Sequence, residues 1–125
     1  MINHGFRFHG YGSLNYLFRR GKTVRSFFLA LRVVENKKRE NFRVSVVVAK
    51  KVAKSSPERN RIRRRIYEII RIHSTSILPR HDFAILVYDN QAATMPHKDL
   101  EKLVIGLLKR GDIYKNSDDS IETNL

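Results

Sequence analysis

The chain has 125 residues, 42% of them hydrophobic, which is enough for one domain with a modest core. Its 25 lysines and arginines exceed its 12 acidic residues and give a formal charge of +13, which predicts a polyanionic partner such as RNA, DNA or an anionic lipid surface. The absence of cysteine excludes disulfides and thiolate metal sites. No apolar run approaches the roughly 18–20 residues of a membrane span, and no signal peptide is recognised, so we expect a cytoplasmic protein.

The first part of the chain is predicted to be an irregular arm followed by a short helix. Residues 1–12 are rich in glycine and aromatics, and their Arg7-Phe8-His9-Gly10 segment is a candidate RNA clamp. Alternatively, the arm is floppy and its aromatics are incidental. Ser13 is suited to cap a helix from Leu14 to Arg20, which Gly21 would end.

Strands are predicted on both sides of a polar connection and again near residue 85. Phe27 to Glu35 and Phe42 to Lys50 are rich in aromatic and β-branched residues, and the short link predicts an antiparallel hairpin. In the second strand, the residues that alternate toward one face are Phe42, Val44, Val46 and Val48. Asp82 to Asp89 is apolar almost throughout, which predicts a central strand.

Residues 58–71 read Glu-Arg-Asn-Arg-Ile-Arg-Arg-Arg-Ile-Tyr-Glu-Ile-Ile-Arg and predict an amphipathic helix. Its isoleucines recur at helical spacing and form one apolar stripe: Ile62, Ile66, Ile69 and Ile70. The residues predicted to point away from the stripe are Asn60, Arg61, Arg64, Tyr67 and Arg71, with Arg59 and Arg63 near its edge. Ser56 with Pro57 is suited to begin this helix, and Ser55 with Glu58 offers a competing capping box one residue earlier.

The segment from Lys50 to Arg71 carries nine cations against two acids, a net charge of +7. Like charges at this density repel one another unless a bound anion neutralises them. The planar guanidinium group is well suited to bind phosphates. In the alternative interpretation the helix face is simply solvated and paired with acids. Among the arginines of the helix, only Arg64 has an acid four residues later, Glu68, so the pattern favours RNA binding.

The last predicted helix, Lys98 to Arg110, is amphipathic and ends at Gly111, and the polar segment 112–125 is predicted to be disordered. The chain is therefore predicted to hold one domain, residues 13–111, of the α+β class. The expected order is α-β-β(-β)-α-β-α, with a mixed sheet and helices packed mainly on one of its faces.

Lys50-Lys51, seven intervening residues, and Arg59-Asn60-Arg61-Ile62-Arg63-Arg64 together resemble the signature of the bacterial ribonuclease P protein component. The family pattern is a Lys-Lys pair at the end of a strand, then Arg-Asn-Arg-Ile-Lys/Arg-Arg at the start of a helix. The resemblance covers about residues 13 to 110. It implies that the strand–helix–strand unit around the motif crosses over left-handedly, against the usual rule.

This resemblance implies the protein subunit that partners a catalytic RNA and helps to trim the 5′ leader from precursor tRNA. The RNA would perform the chemistry and hold Mg²⁺, and the protein would have no catalytic residue, bound cofactor, membrane partner or small-molecule substrate. The residues expected to contact RNA are Lys50, Lys51, Lys54, Arg59, Asn60, Arg61, Arg63, Arg64, Tyr67 and Arg71. Family members often carry a basic residue at the position of Tyr67, where a tyrosine could instead stack on a base.

The face of the sheet opposite the core is a candidate groove for the leader. Small and aromatic side chains rimmed by arginine accept single-stranded RNA by stacking and backbone contact, and the family holds the leader in this groove. The expected groove residues are Leu14, Phe18, Phe28, Ala30, Ser45, Val47 and Ala49. Alternatively, they are a second layer of core beneath the first helix. The family often has aromatics where this chain has Leu14 and Ala30.

Other classes of site find less support in the sequence. The five histidines have no zinc-site spacing, and His73 is expected to pack at the edge of the core. Asp82 and Asp89 bracket a strand and would lie too far apart for paired catalytic carboxylates. A protein-only nuclease is therefore disfavoured, and the main alternative is a non-catalytic RNA-binding module such as a ribosomal protein.

Overall fold

The computed structural model describes residues 11–115, with side chains described from residue 15 onward. Its elements are α1 (Tyr11–Arg20), β1 (Lys22–Ser26), β2 (Leu29–Glu35), β3 (Arg43–Val48), α2 (Ser56–Ile72), β4 (His81–Val87) and α3 (His97–Arg110). Short 3₁₀ turns at Ser74–Ser76 and Asn90–Ala93 follow α2 and β4. The predicted α+β class and element order, with the optional third strand, are confirmed. In this range no helix is long and apolar enough to cross a bilayer.

The four strands form one mixed sheet in the order β1-β2-β4-β3. Strand β4 pairs antiparallel with β2 and parallel with β3, so it is central, as its apolar sequence predicts. The predicted hairpin between the second and third strands is wrong, because β2 and β3 both pair with β4 instead of with each other. The handedness of the β3–α2–β4 crossover stays a prediction.

The sequence did not indicate where the optional third strand would lie, and in the structure it is β1. It forms an antiparallel hairpin with β2. The two-residue turn of this hairpin is Phe27 and Phe28, which were expected to begin a strand. Phe27 takes a positive φ of 54°, which lets the chain reverse, and its side chain is 90% exposed. The sequence Lys-Thr-Val-Arg-Ser lacks the hydrophobic pattern of a strand, because Val24 is the only one of these residues that is buried.

The helix boundaries differ slightly from those predicted. Helix α1 begins at Tyr11, so Ser13 lies inside the helix and residues 11 and 12 of the expected arm are helical. The rest of that arm, residues 1–10, lies outside the described residues. At α2 the competing capping box supplies the cap, since Ser55 Oγ accepts the N–H of Glu58 at 3.2 Å. The candidate clamp at residues 7–10 lies outside the described residues.

Helices α2 and α3 pack on one face of the sheet and bury the main core. The four isoleucines of the predicted stripe are fully buried there, whereas Ile72 at the end of α2 is 52% exposed. The residues predicted to face the core from the strand before α2 are buried as well: Phe42, Val44, Val46 and Val48. Helix α1 covers part of the opposite face, which is called the second face below, by packing Leu17 against Ala84 of β4. The prediction that helices lie mainly on one face is therefore confirmed.

The ordered chain continues past Gly111, where the sequence predicts a disordered tail. Ile113 is buried, and its carbonyl accepts the N–H of Leu78 at 2.7 Å. The hydroxyl of Tyr114 lies 3.0 Å from Nδ1 of His73, whose Nε2 lies 2.9 Å from Glu101. The polar composition of residues 112–125 gave no sign that Ile113 and Tyr114 attach the chain to the domain. Residues 116–125 lie outside the described part. His73 packs at the core edge, as expected.

Candidate RNA interface

The outward face of α2 presents the polar and charged residues that its buried isoleucines leave exposed. Asn60, Arg61 and Arg64 are all exposed, as the helical spacing predicts. Arg63 is half-buried and its Nη2 donates a hydrogen bond to Oδ1 of Asn60, so the two side chains hold one another. A pre-ordered pair of guanidinium and amide donors on a rigid helix can meet a phosphate at little entropic cost.

Arg59 shapes the basic loop that leads into the helix. Its Nη1 donates to the carbonyl oxygens of Ala53 at 2.8 Å and Lys54 at 2.9 Å, and its Nη2 donates to Ser56 Oγ at 2.9 Å. These bonds fix the turn between β3 and α2, on which the predicted RNA-contacting lysines are exposed: Lys50, Lys51 and Lys54. The guanidinium of Arg59 therefore positions this loop, a role that the sequence did not indicate.

Arg65 turns inward although it belongs to the same arginine run. It donates hydrogen bonds to the carbonyls of Ala92, at 2.7 Å, and of Met95. Burial lowers the pKa of Arg65, and the nearby charge of Arg61 lowers it further. Arg65 thus ties α2 to the connection between β4 and α3.

The structure corrects one predicted RNA contact on α2, Tyr67, and pairs another, Arg71, with an acid. Tyr67 is only 4% exposed, and its hydroxyl accepts the N–H of Val46 at 3.0 Å, so its ring does not reach solvent to stack on a base. Arg71 is exposed but pairs with Glu68, with Nε 3.0 Å from Oε1. The hydrogen bond from Arg71 holds the pKa of Glu68 below its ordinary value. Glu68 therefore pairs with Arg71 and not, as expected, with Arg64.

The predicted leader groove is only partly assembled on the second face. Ser45 and Val47 are half-buried on β3, and Ala49 is exposed just beyond its end. Phe18 is 39% exposed on α1. Ala30 lies on the same face but is 1% exposed, so it belongs to the floor and cannot contact a leader directly.

Of the other two groove predictions, Phe28 falls outside this surface and Leu14 is not described. Phe28 packs against the main core on the other face, because the turn at Phe27 breaks the alternation that would have placed Phe28 beside Ala30. Phe28 and Phe27 line a surface pocket of about 540 Å³ near the start of α3. The side chain of Leu14 lies outside the described residues, so its place in the groove stays a prediction.

Three residues of the second face were missed by the sequence analysis. Arg32 lies with its guanidinium carbon 5.7 Å from the centroid of the Phe18 ring, and it donates a hydrogen bond to the carbonyl of Phe18. Arg25 lies 5.0 Å from the centroid of the Tyr88 ring, which is 47% exposed. Alternation along β2 from Ala30 and along β4 from Leu86 would have placed Arg32 and Tyr88 on this face.

The loops after the parallel strands β3 and β4 meet at one end of the sheet. A pocket of about 380 Å³ is lined there by Lys51, Val52, Tyr88, Asp89 and Asn90. The pocket therefore brings a predicted RNA-contacting lysine next to the exposed ring of Tyr88. In this way the basic loop before α2 is continuous with the second face of the sheet.

The acidic groups nearest the strands serve the fold. Asp82 is 5% exposed, and its carboxylate accepts hydrogen bonds from Arg43 at 2.8 and 2.9 Å and from Asn36 at 2.9 Å. The bond to Asp82 raises the pKa of Arg43. Asp89 caps the 3₁₀ turn after β4 by accepting the N–H of Gln91 at 2.9 Å. Within residues 11–115, no group of three or more metal-ligating side chains is found.

Comparisons with known proteins identify close similarity to one family. The family model described as Ribonuclease P matches residues 7–112. The ribonuclease P protein component of Clostridium botulinum is 34% identical over 99 residues, which cover 79% of this chain and 87% of the relative. That of Clostridioides difficile is 33% identical over 99 residues, with 78% and 83% covered.

Solved structures support the same fold. The RNase P protein of Staphylococcus aureus matches with a TM-score of 0.78 at 21% identity, covering 88% of this chain and 98% of that one. The RNase P protein of Thermotoga maritima matches with a TM-score of 0.70 at 21% identity, covering 78% and 89%. At this level of identity the structural matches establish the architecture, and the sequence matches establish the family.

Proposed function

Since the chain belongs to the ribonuclease P protein family, we propose that it is the protein subunit of a ribonuclease P holoenzyme that removes the 5′ leader from precursor tRNA. In this proposal the RNA subunit performs the hydrolysis and holds the Mg²⁺, and the protein supplies binding and charge neutralisation. The observation that carries the proposal is the exposed set Asn60, Arg61 and Arg64, which lies within the family motif on α2.

The α2 face is proposed to bind the RNA subunit. Arg61 and Arg64 offer planar donor forks to phosphates or base edges, and Asn60 keeps amide N–H donors while its oxygen is held by Arg63. The basic loop adds Lys50, Lys51 and Lys54 at the start of the helix, all exposed. Arg71 and Tyr67 are left out of this proposal, because one is paired with Glu68 and the other is buried.

The second face is proposed to hold the leader. Phe18 and Tyr88 offer partly exposed rings, and Arg32 and Arg25 lie against those rings as cations. Stacking on aromatic rings and phosphate contacts tolerate many sequences, as a subunit that serves many precursors requires. Ser45 and Val47 form a small-residue floor beside them on β3.

Charge neutralisation is proposed to lower the Mg²⁺ requirement of the holoenzyme. A chain of formal charge +13 that lies against RNA releases counterions and offsets phosphate repulsion. Cleavage that depends on Mg²⁺ equally with and without the protein would refute this part of the proposal.

The test is 5′-leader cleavage of a precursor tRNA at low Mg²⁺. The reaction would contain the cognate RNA subunit alone, with the wild-type protein, or with the variant Asn60→Ala/Arg61→Ala/Arg64→Ala. A matched control is Lys38→Ala/Arg39→Ala/Asn41→Ala, which removes two exposed cations and one exposed asparagine from the connection between β2 and β3. We expect rescue by the wild type and the control, and loss of rescue in the α2 variant.

A plain RNA-binding module makes a different prediction. It would bind the RNA subunit tightly but would not rescue cleavage, and it would not make the holoenzyme prefer precursor tRNA to mature tRNA. Measuring both affinities in the same holoenzyme therefore separates the two functions. Tight RNA binding without either effect would replace our proposal with the alternative.

A further inference from the structure

A second basic surface lies at the edge of the sheet opposite α2. Strand β1 forms one edge, and α2 packs against β3 at the other edge. We call this surface the β1-edge patch; its exposed cations are Arg19, Arg20, Lys22, Arg25 and Arg110. They come from three elements: the end of α1, strand β1 and the end of α3.

Hydrogen bonds bring the three elements together. Arg110 of α3 donates through Nη1 to the carbonyl of Arg25 in β1. Lys22 at the start of β1 lies 2.9 Å from the carboxylate of Asp112, just after α3. Only Gly21 separates α1 from β1. Asp112 is the one carboxylate that the described residues place within ion-pair distance of the patch, so four of the five cations lack an acidic partner there.

Structural roles explain only some of these cations. Basic residues at the ends of α1 and α3 interact favourably with the negative ends of the helix dipoles. Arg110 also covers the free edge of β1, which discourages pairing with another strand. Neither role applies to the guanidinium of Arg25, which lies over the Tyr88 ring on the second face.

The sheet register connects the patch with the proposed leader groove. Arg25 pairs with Ala30, Ala30 with Leu86, and Leu86 with Val47, so one cross-strand row runs from the patch to β3. With about 4.8 Å between neighbouring strands, this row spans about 14 Å. Tyr88 lies beside the row and shares its pocket with Lys51 at the far side. A strand of RNA that crosses the second face from Lys51 would therefore reach Arg25 and then the patch.

We propose that the β1-edge patch binds the 5′-distal part of long precursor leaders, as single-stranded RNA that has passed through the groove. This inference rests on the proposed function and deepens it. The leader is favoured over the RNA subunit because the patch is continuous with the second face and lies at the opposite edge from α2. Phosphate contacts in the patch would lengthen the binding site without adding sequence preference, so affinity would grow with leader length.

The experiment compares holoenzymes that bind precursor tRNAs with leaders of about 4 and about 16 nucleotides, the range of common single-strand sites. The patch variant is Arg20→Gln/Lys22→Gln/Arg110→Gln, which removes one exposed cation from each element and keeps Arg25, because Arg25 is also part of the proposed leader groove. The control is Lys37→Gln/Lys38→Gln/Arg39→Gln, which removes three exposed cations from the connection between β2 and β3. Circular dichroism and thermal melting of each variant establish that it is folded.

We expect the wild type and the control to bind the long leader more tightly and with a steeper salt dependence than the short leader. In the patch variant this advantage should shrink, with the salt slope for the long leader falling by about 0.7 for each phosphate contact that is lost. Affinity for the short leader should not change.

Three results would overturn the inference. The patch variant could keep the full long-leader advantage, or the wild type could bind both leaders equally while still preferring precursor to mature tRNA. The patch variant could also weaken binding of the isolated RNA subunit as much as binding of the long precursor, which would assign the patch to that RNA. Loss of preference for precursor over mature tRNA in the wild type is a separate result, because it contradicts the proposed function itself.

Discussion

The hydroxyl of Tyr67 accepts a hydrogen bond at 3.0 Å from the backbone N–H of Val46, which joins the middle of α2 to the edge strand β3. The helical spacing predicted that this ring faces solvent. The tyrosine side chain is instead long enough to reach sideways from α2 to β3. A tyrosine in the basic motif thus serves the attachment of the helix, and the RNA-binding face is left to its polar neighbours.

Tyr67→Phe should lower the free energy of unfolding by about 1–2 kcal/mol, because a buried backbone donor loses its acceptor. RNA affinity should not change at temperatures where the variant is folded. Urea denaturation combined with RNA titration measures both quantities. An unchanged unfolding midpoint with a large loss of RNA affinity would favour the stacking role that the sequence suggested.

Arg65 and Arg61 should respond in opposite ways to the same substitution. Arg65→Gln removes charged donors from the carbonyls of Ala92 and Met95, so it should cost about 1–3 kcal/mol of stability. Arg61→Gln should leave stability unchanged or slightly raised, because the charge of Arg61 disfavours the buried charge of Arg65. Its RNA affinity should fall, with a salt slope reduced by about 0.7–0.9 for the lost phosphate contact. Chemical denaturation and salt-dependent RNA binding of both variants provide the test, and equal effects on stability would contradict it.

The contact between His73 and Glu101 should make stability depend on pH. The hydrogen bond from His73 lowers the pKa of Glu101, and the charges of His73 and His97 lower it further. A carboxylate with a lowered pKa adds stability above its unfolded value of about 4.3, and this contribution disappears as the pH falls through the folded value. The wild type should therefore exceed Glu101→Gln in stability at pH 5–6, by a margin that narrows below about pH 4.

Urea unfolding of both proteins at several pH values measures this margin. Glu40→Gln, which removes one exposed carboxylate between β2 and β3, is the matched control for the loss of an acid. A margin between wild type and Glu101→Gln that stays constant down to pH 3 would rule out the proposed linkage.

The local features of the arginine helix could be predicted because they depend on neighbours a few residues away. The isoleucine spacing identified the buried stripe, and the Ser55–Glu58 pair was recognised as a possible cap. The inward turn of Arg65 could not be predicted in the same way. Its acceptors, Ala92 and Met95, lie far along the chain, and a helical projection does not show which carbonyl groups a long side chain can reach.

The partners of the strands were the least predictable part of the fold. Short connections favour pairing of consecutive strands, yet β2 and β3 leave room for β4, which comes much later in sequence. Likewise, alternation placed Ala30 on the second face correctly but placed Phe28 there wrongly. The period of two does not continue through the turn at Phe27. The second face of the sheet was therefore predicted, and only some of the residues expected on it lie there; its role as a leader groove stays a prediction.

The central position of β4 also has a consequence for the order in which the protein can form. While the ribosome has released only the first 80 residues, β2 and β3 both lack β4, the strand that lies between them in the finished sheet. The arginine helix at that stage has a strand to pack on but no completed sheet beneath it. Such long-range pairing slows folding and exposes unpaired strand edges. We therefore expect the nascent chain to acquire its mature tertiary structure late, once the last third of the polypeptide has emerged.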